Sequence, residues 1–264
     1  MLTAEIVAVG REILYGRTLD TNSNWICNEL VRLGVTVKRI YVVDDVYEEI
    51  AEIISLILKR HPNICITTGG LGPTFDDITV ESVARTLKLD LEENQVAINY
   101  ILDYLKKRNL ELTKERRKMA LMPRNAIPLK NEVGTAPGIF FNYEGINFFM
   151  LPGVPAEMKN LFTNHVKQII ERMPGRDYFG EVNIEIRGIP ESDLSKIINQ
   201  LRTKYPNFYF KSNPKGFDEG RSVIVLNITI FTSDKDKLNL LEEIKKEVFD
   251  RLKGLATSLK ILEQ

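Results

Sequence analysis

Three short apolar runs in the first third of this chain each lead into or follow a helical pattern, and that alternation restricts the fold more than any other feature. Ala4 to Val9 is apolar apart from Glu5, and Asn22 to Leu33 then shows helical spacing with Trp25, Ile26, Leu30 and Leu33 on one side. Gly34 is placed to stop that helix, and Val35 to Val43 reads as a second strand. The next helical pattern, Tyr47 to Leu58, gathers Ile50, Ile53, Ile54 and Ile57 on one face, and Asn63 to Thr68 reads as a third strand. Strands this short and this continuously apolar are buried on both faces. The pattern therefore predicts an α/β domain, a mostly parallel sheet between two layers of helices. Ligands of such sheets collect at the carboxyl ends of the strands.

Further along, the spacing predicts helices over 80–87, 95–107 and 113–120, a hairpin of 138–142 with 146–151, and a helix over 156–172. Met173-Pro174-Gly175 has the composition of a linker, which divides the chain into a domain of residues 1–173 and a smaller one of 174–264. In the smaller one, strands are expected over 181–187, 208–211 and 222–231, with helices over 191–204 and 235–252. That order describes a compact α+β unit whose sheet is apolar on one face. With 36 basic and 36 acidic residues the net charge is zero, unlike the basic bias of a general nucleic-acid binder. No apolar run is long enough to span a bilayer, and the N-terminus has no basic segment leading into an apolar signal core. Cys27 and Cys65 read as buried thiols, so a cytoplasmic protein is expected.

The chemistry concentrates in Thr67-Thr68-Gly69-Gly70-Leu71-Gly72-Pro73-Thr74-Phe75-Asp76-Asp77-Ile78-Thr79, which joins the third strand to a helix. A glycine-rich strand-to-helix loop turns backbone N–H groups toward an anion. A P-loop would continue with lysine; this loop continues with Asp76 and Asp77, and Glu81 follows within a turn. Amides beside carboxylates suit a phosphate together with its divalent cation. One aspartate could serve only as a helix N-cap, but a cap needs only one. If the helix begins at Asp77, that residue and Glu81 share a face. Glu12 and Asp45 end the first and second strands, so three strands deliver acids to one edge. Asp20 and Thr21 read as the N-cap region of the Trp25 helix. Two small-residue loops, Gly134-Thr135-Ala136-Pro137-Gly138 and Pro152-Gly153-Val154-Pro155, are either plain turns or further walls of the same pocket. The basic stretch Arg116-Arg117-Lys118 reads as a solvated face. Neither His61 nor His165 has the company a metal site needs, and no nucleophile elbow or Cys–His pair points to covalent catalysis.

Taken in order, Ala-Val-Gly-x-Glu-x-Leu-x-Gly with Asp-Thr-Asn, Val-Val-Asp-Asp, Gly-Gly-Leu-Gly-Pro-Thr-x-Asp-Asp, Gly-Thr-Ala-Pro-Gly and Leu-Pro-Gly-Val-Pro-x-Glu-Met resemble the CinA (competence-damage-inducible) group of the molybdopterin-binding domain superfamily. The motifs run from residue 4 to 158, and Ile186 to Ser192 resembles the small module that follows in that group. The resemblance implies a three-layer αβα fold that binds a nucleotide or pterin phosphate with a divalent metal (Mg²⁺, with Mn²⁺ or Co²⁺ as alternatives) and self-associates as a homodimer. It implies either hydrolysis of a nucleotide pyrophosphate such as ADP-ribose, or nucleotidyl transfer in molybdopterin or flavin metabolism. A nucleotide-sensing module without catalysis is a third reading. The functional aspartates of the transferases map onto Asp45 and Asp77. Metal ligation would fall to Asp77, Asp45, Glu81, Glu12 and Asp76, and phosphate binding to Thr68, Gly69, Gly70, Gly72, Thr79, Gly134, Thr135, Gly138, Pro152 and Gly153. Leu71, where the transferases carry threonine, and Phe75-Asp76, where they carry a basic residue before the aspartate, favour the CinA type. The deamidase domain of longer members is not expected in these 264 residues, nor is nicotinamide-nucleotide deamidation.

Overall fold

The structure, a computed structural model, describes residues 1–218 and 220–262, and divides into two compact units, Met1–Gly175 and Arg176–Gln264. The last two residues of the expected second domain lie outside the described residues. In the first unit the strands are β1 (Leu2–Val9), β2 (Val35–Val43), β3 (Ile64–Thr68), β4 (Leu91–Glu93), β5 (Leu121–Pro123), β6 (Ile127–Leu129), β7 (Gly138–Tyr143) and β8 (Ile146–Leu151). The helices are α1 (Arg11–Leu14), α2 (Thr21–Arg32), α3 (Tyr47–Arg60), α4 (Thr79–Thr86), α5 (Gln95–Lys106), α6 (Lys114–Lys118), α7 (Pro155–Leu161) and α8 (Lys167–Glu171).

Six strands form the main sheet in the order β2-β1-β3-β8-β7-β6. The pairs β1–β2, β1–β3 and β3–β8 are parallel, and β7 and β6 add an antiparallel flank. Alternate residues of each strand enter opposite cores, as a pleat requires. Val7, Val9, Cys65, Phe148 and Met150 pack with α3, α4 and α5, while Ala4, Ile6, Ile64, Ile66, Phe149 and Leu151 pack with α2, α7 and α8. Phe148 and Phe149 are fully buried on opposite faces, and burying such a side chain contributes about 1.5–3 kcal/mol. The expected three-layer αβα architecture is present.

Some details depart from the sequence expectation. The short β4–β5 pair and β6 have too few residues for a visible alternation. The helix expected over 156–172 is continuous but contains a π-helical turn at Phe162–Val166, where Phe162 meets Trp25 edge-on at 5.3 Å. Glu5 is buried in β1 beside a register irregularity. It is held by Arg39 Nη1 and Tyr41 Oη, each at 3.0 Å, with Arg60 at 3.7 Å, which is why one acid interrupts an otherwise apolar strand. Among the described residues no helix is long and apolar enough to cross a membrane.

In the second unit β9 (Tyr178–Arg187), α9 (Glu191–Lys204), β10 (Tyr209–Asp218), β11 (Arg221–Thr232), α10 (Leu240–Leu252) and β12 (Ser258–Leu262) build an antiparallel sheet in the order β10-β11-β9-β12. Ile184, Ile186, Leu226 and Ile228 pack with α9 and α10, while Asn183 and Asn227 meet on the opposite, polar face. Residues 235–239, expected to begin the last helix, form a 3₁₀ turn instead.

Glu247 on α10 accepts hydrogen bonds from Lys204 Nζ and Tyr205 Oη at 2.7 Å and from Arg251 Nε at 2.9 Å. The Lys204 ammonium, helped by Tyr205 and Arg251, holds the carboxyl at about 2 against an ordinary 4.5. A lowered carboxyl stabilises the fold above its unfolded value, and that contribution is lost as pH falls through 4.5 toward 2. Glu247→Gln should therefore destabilise this unit at neutral pH by ~1 kcal/mol, since solvent screens its partners. Urea titrations of both proteins should converge as the pH is lowered into that window.

Candidate functional site

The connection from β1 to β2 leaves one side of β1, and the connection from β2 to β3 returns on the other. The carboxyl ends of β1 and β3 therefore flank a topological switch point, where an open sheet leaves a crevice. A cavity of about 420 Å³ opens there. Its walls include Gly10 and Glu12 after β1, Asp45 after β2, Gly69 to Pro73 with Asp76 and Asp77 after β3, Thr135 and Ala136 before β7, and Pro152, Gly153 and Glu157 after β8.

Close packing of the loops builds this edge. Gly69 N–H donates to Leu151 O at 3.0 Å, continuing the ladder, so this amide is not offered to a ligand as the sequence reading expects. Gly69 adopts φ +98°, and a Cβ there would lie 2.2 Å from Val9 O. Thr79 is fully buried, donating from Oγ1 to Gly69 O at 3.0 Å and from N–H to Gly70 O at 3.2 Å. It braces the loop from behind and does not line the cavity. The N–H groups of Gly70, Leu71 and Gly72 find no acceptor among the described residues. Asn22 Nδ2 donates to Gly153 O at 2.7 Å, holding the β8 loop against the start of α2, where Asp20 is the N-cap through Ser23 N–H at 2.9 Å.

The acids divide by position. Asp76 and Asp77 cap no helix, because α4 begins at Thr79 after Ile78. Both turn to Thr74: Asp77 Oδ2 accepts from Thr74 N–H at 2.8 Å and from its hydroxyl at 2.6 Å, and Asp76 Oδ1 accepts from that hydroxyl as well. The Thr74 hydroxyl also holds the Asp76 carboxyl below the usual range. Asp77 therefore lies outside the helix and shares no helical face with Glu81, which turns toward Lys118 at 3.8 Å and is not part of the cavity wall. Lys118 is no solvated bystander. It donates to Asp77 O at 2.9 Å and fixes the loop. Thr68, Gly134 and Gly138 also lie behind the wall; Gly138 packs on Leu129, Leu161 and Leu151.

Asp45 lines the cavity, and its Oδ1 is buried with no hydrogen-bond donor among the described residues. Arg11 pairs with the adjacent Asp44 at 2.9 Å, and its Nε stands 3.7 Å from that same Asp45 Oδ1, too far for a hydrogen bond. Contact with the Asp44 carboxylate, together with burial, raises the Asp45 carboxyl, while Asp44 is lowered. Glu157, in the first turn of α7, enters the cavity half-buried and is raised by burial. The sequence places Glu157 early in this helix, beside a small-residue loop that fits a ligand, but an acid in a first helical turn is ordinary and names no role for it. Its holder, Asn131, is buried and carries no motif; only the fold brings it near.

Every charged side chain of the cavity wall is an acid: Glu12, Asp45, Asp76, Asp77 and Glu157. A phosphate entering among them meets like charges, each worth about 4 kcal/mol of repulsion at 4 Å in a partly screened site. An accompanying cation removes that penalty. Among the described residues no three acidic, histidine or cysteine side chains close into a ready metal-binding group. The orphaned Asp45 Oδ1 nonetheless fits an oxygen-seeking ion that takes one or two protein carboxylates and completes its shell with phosphate and water.

A mostly parallel αβα sheet with a glycine loop and acids at its switch point defines a small-molecule-binding domain of the α/β class. Residues 5–172 match the family described as a probable molybdopterin binding domain, and the chain belongs to that family. A protein of Sulfurisphaera tokodaii is 40% identical over 256 residues, covering 97% of this chain and 95% of its own. One of Metallosphaera sedula is 37% identical over 259 residues, covering 98% and 96%. The crystal structure of the protein CinA, of unknown function, from Thermoplasma acidophilum is 40% identical with a TM-score of 0.59, covering 63% of this chain and 97% of that one. The chain is thus CinA-like, as its motifs indicate.

Proposed function

We propose that this protein hydrolyses the phosphoanhydride bond of a nucleotide pyrophosphate, with ADP-ribose as the first candidate, in the presence of a divalent cation. One observation carries the reading: the unpartnered N–H groups of Gly70, Leu71 and Gly72 share a cavity with the donor-free oxygen of Asp45. Backbone N–H groups hold phosphate oxygens and stabilise the charge that develops on them during attack. Asp45 and Glu12, from two different strand ends, are the residues best placed to hold the cation, with Asp77 supporting the phosphate loop from its Thr74 contacts. When bound, the ion would neutralise the phosphates and make phosphorus more open to attack by water. Leu71, Met119 and Ala136 bring apolar surface to the same wall, which limits the water that competes for the amides.

The family description, a probable molybdopterin binding domain, favours a pterin as ligand, and with the resemblance of the motifs it supports a second reading, nucleotidyl transfer to that pterin. A panel of nucleotide pyrophosphates with Mg²⁺, Mn²⁺ or Co²⁺ separates the two. Hydrolysis is expected to release AMP from ADP-ribose with no acceptor present. Pyrophosphate release from ATP that requires molybdopterin would favour transfer, and no AMP release with any of the three ions would end the hydrolase reading.

A further inference from the structure

Of the five acids on the cavity wall, Glu157 is held by a buried partner. Asp76 and Asp77 each turn one oxygen to the exposed Thr74, Asp45 stands beside Asp44 and Arg11, and Glu12 is exposed. Glu157 is half-buried and forms no ion pair among the described residues. Its Oε2 accepts from Asn131 Nδ2 at 2.6 Å, which leaves Oε1 without a donor. Asn131 cannot turn away. Its Nδ2 also donates to Ala136 O at 2.9 Å, and its Oδ1 accepts from Val133 N–H at 3.1 Å and Gly134 N–H at 2.9 Å. All four of its hydrogen-bonding positions are used. The loop also makes room for the acid: a Cβ on Gly134 would lie 2.0 Å from Glu157 Cδ. A side chain carrying out only a helix-end role needs neither a dedicated, fully committed amide nor a residue without a side chain beside it.

We propose that Glu157 is the general base of the reaction, a reading that rests on the hydrolase function above. Its free carboxylate oxygen takes a proton from the attacking water as the water oxygen bonds to phosphorus. The bond from that phosphorus to the bridging oxygen breaks, and the bridging oxygen leaves with the electron pair on the departing phosphate. Glu157 then returns its proton to solvent or to that phosphate, so the products are two phosphate monoesters. Fixing Oε2 by Asn131 aims the carboxylate without consuming the oxygen that acts.

The surroundings suit the role. Burial raises the Glu157 carboxyl and the Asn131 hydrogen bond partly opposes it. The titratable groups sharing the cavity, Glu12, Asp45, Asp76 and Asp77, are all acids, and Lys159 on the same helix lies over Trp25 at 5.7 Å. A base closer to neutrality accepts protons more effectively near working pH.

The test compares Glu157→Gln with the full wild-type chain on ADP-ribose and Mg²⁺. Glutamine keeps an oxygen for Asn131 but cannot accept a proton. Expected are a fall in kcat of ~10²–10⁴-fold, little change in KM, and loss of the acid limb of the pH–rate profile. Because a raised carboxyl withdraws stability as pH climbs above its unfolded value, the variant should melt no lower than wild type at neutral pH. That excludes unfolding as the cause of lost activity. A variant that keeps wild-type kcat, or keeps the acid limb unchanged, overturns the assignment and leaves the hydrolase reading intact. A wild-type protein without turnover on the whole panel removes both.

Discussion

Asp45→Asn is expected to reduce turnover by ~10²–10³-fold, equivalent to about 3–4 kcal/mol of transition-state stabilisation, while the melting temperature holds or rises. The two halves of that expectation have one origin. Asp45 Oδ1 is buried with no donor, and the Asp44 carboxylate raises its pKa. Such an oxygen costs the folded protein stability unless a ligand claims it. Asparagine has the same shape and no charge, so it relieves repulsion with Asp44, leaves the Arg11–Asp44 pair at 2.9 Å, and gives up the charge that would hold a cation. Differential scanning calorimetry with and without Mg²⁺, alongside AMP release, reads both halves. Wild-type turnover in a properly folded Asp45→Asn protein would remove Asp45 from the reaction. A sharp fall in melting temperature would instead make it a structural residue.

Gly69→Ala is expected to produce a large loss of stability in the first unit. The backbone is at φ +98°, and the new Cβ would stand 2.2 Å from Val9 O, a backbone atom held by the sheet. Strain and overpacking of this kind each cost about 1–3 kcal/mol, so roughly 4 kcal/mol together is expected. For a unit of this size that is a fall of about 8–16 °C in Tm. Gly16→Ala is the control: it too has positive φ, +68°, but no atom lies within 4 Å of its Cβ. It should cost only about 1–2 kcal/mol. Equal effects at the two positions would mean that the approach of β1 to β3 is not a tight constraint.

Both variants probe a place where the sequence signal was strong and its local meaning was misleading. The glycines after β3 are legible as a ligand loop, yet Gly69 spends its N–H on Leu151, while the next three residues keep N–H groups with no acceptor among the described residues. Asp77 and Glu81 are four apart, but the helix starts at Thr79, so spacing counted from Asp77 has no helical meaning. Thr79 looked like part of a phosphate-binding run and is instead a buried brace. Each difference turns on a hydrogen bond between loop and strand, or on where one helix begins, and residue type does not encode either. Glu157 and Asn131 show the converse. They are 26 residues apart, and neither stands in a pattern that would pair them.

What the sequence by itself determined is the layered αβα architecture, the amphipathic second unit and the family. The two units depend on short apolar runs and on apolar residues recurring at two and at three to four positions, and the family on its motifs, all local properties of the chain. The motifs also point to the edge of the sheet where the cavity opens, since a parallel strand order sends every strand-to-helix loop to the same end. Only the tertiary structure decided which acids face the cavity and which amides remain free. Pairing of β3 with β1 on one side and β8 on the other sets those outcomes, because residues as far apart as Asn22 and Gly153 must meet before any loop has one conformation.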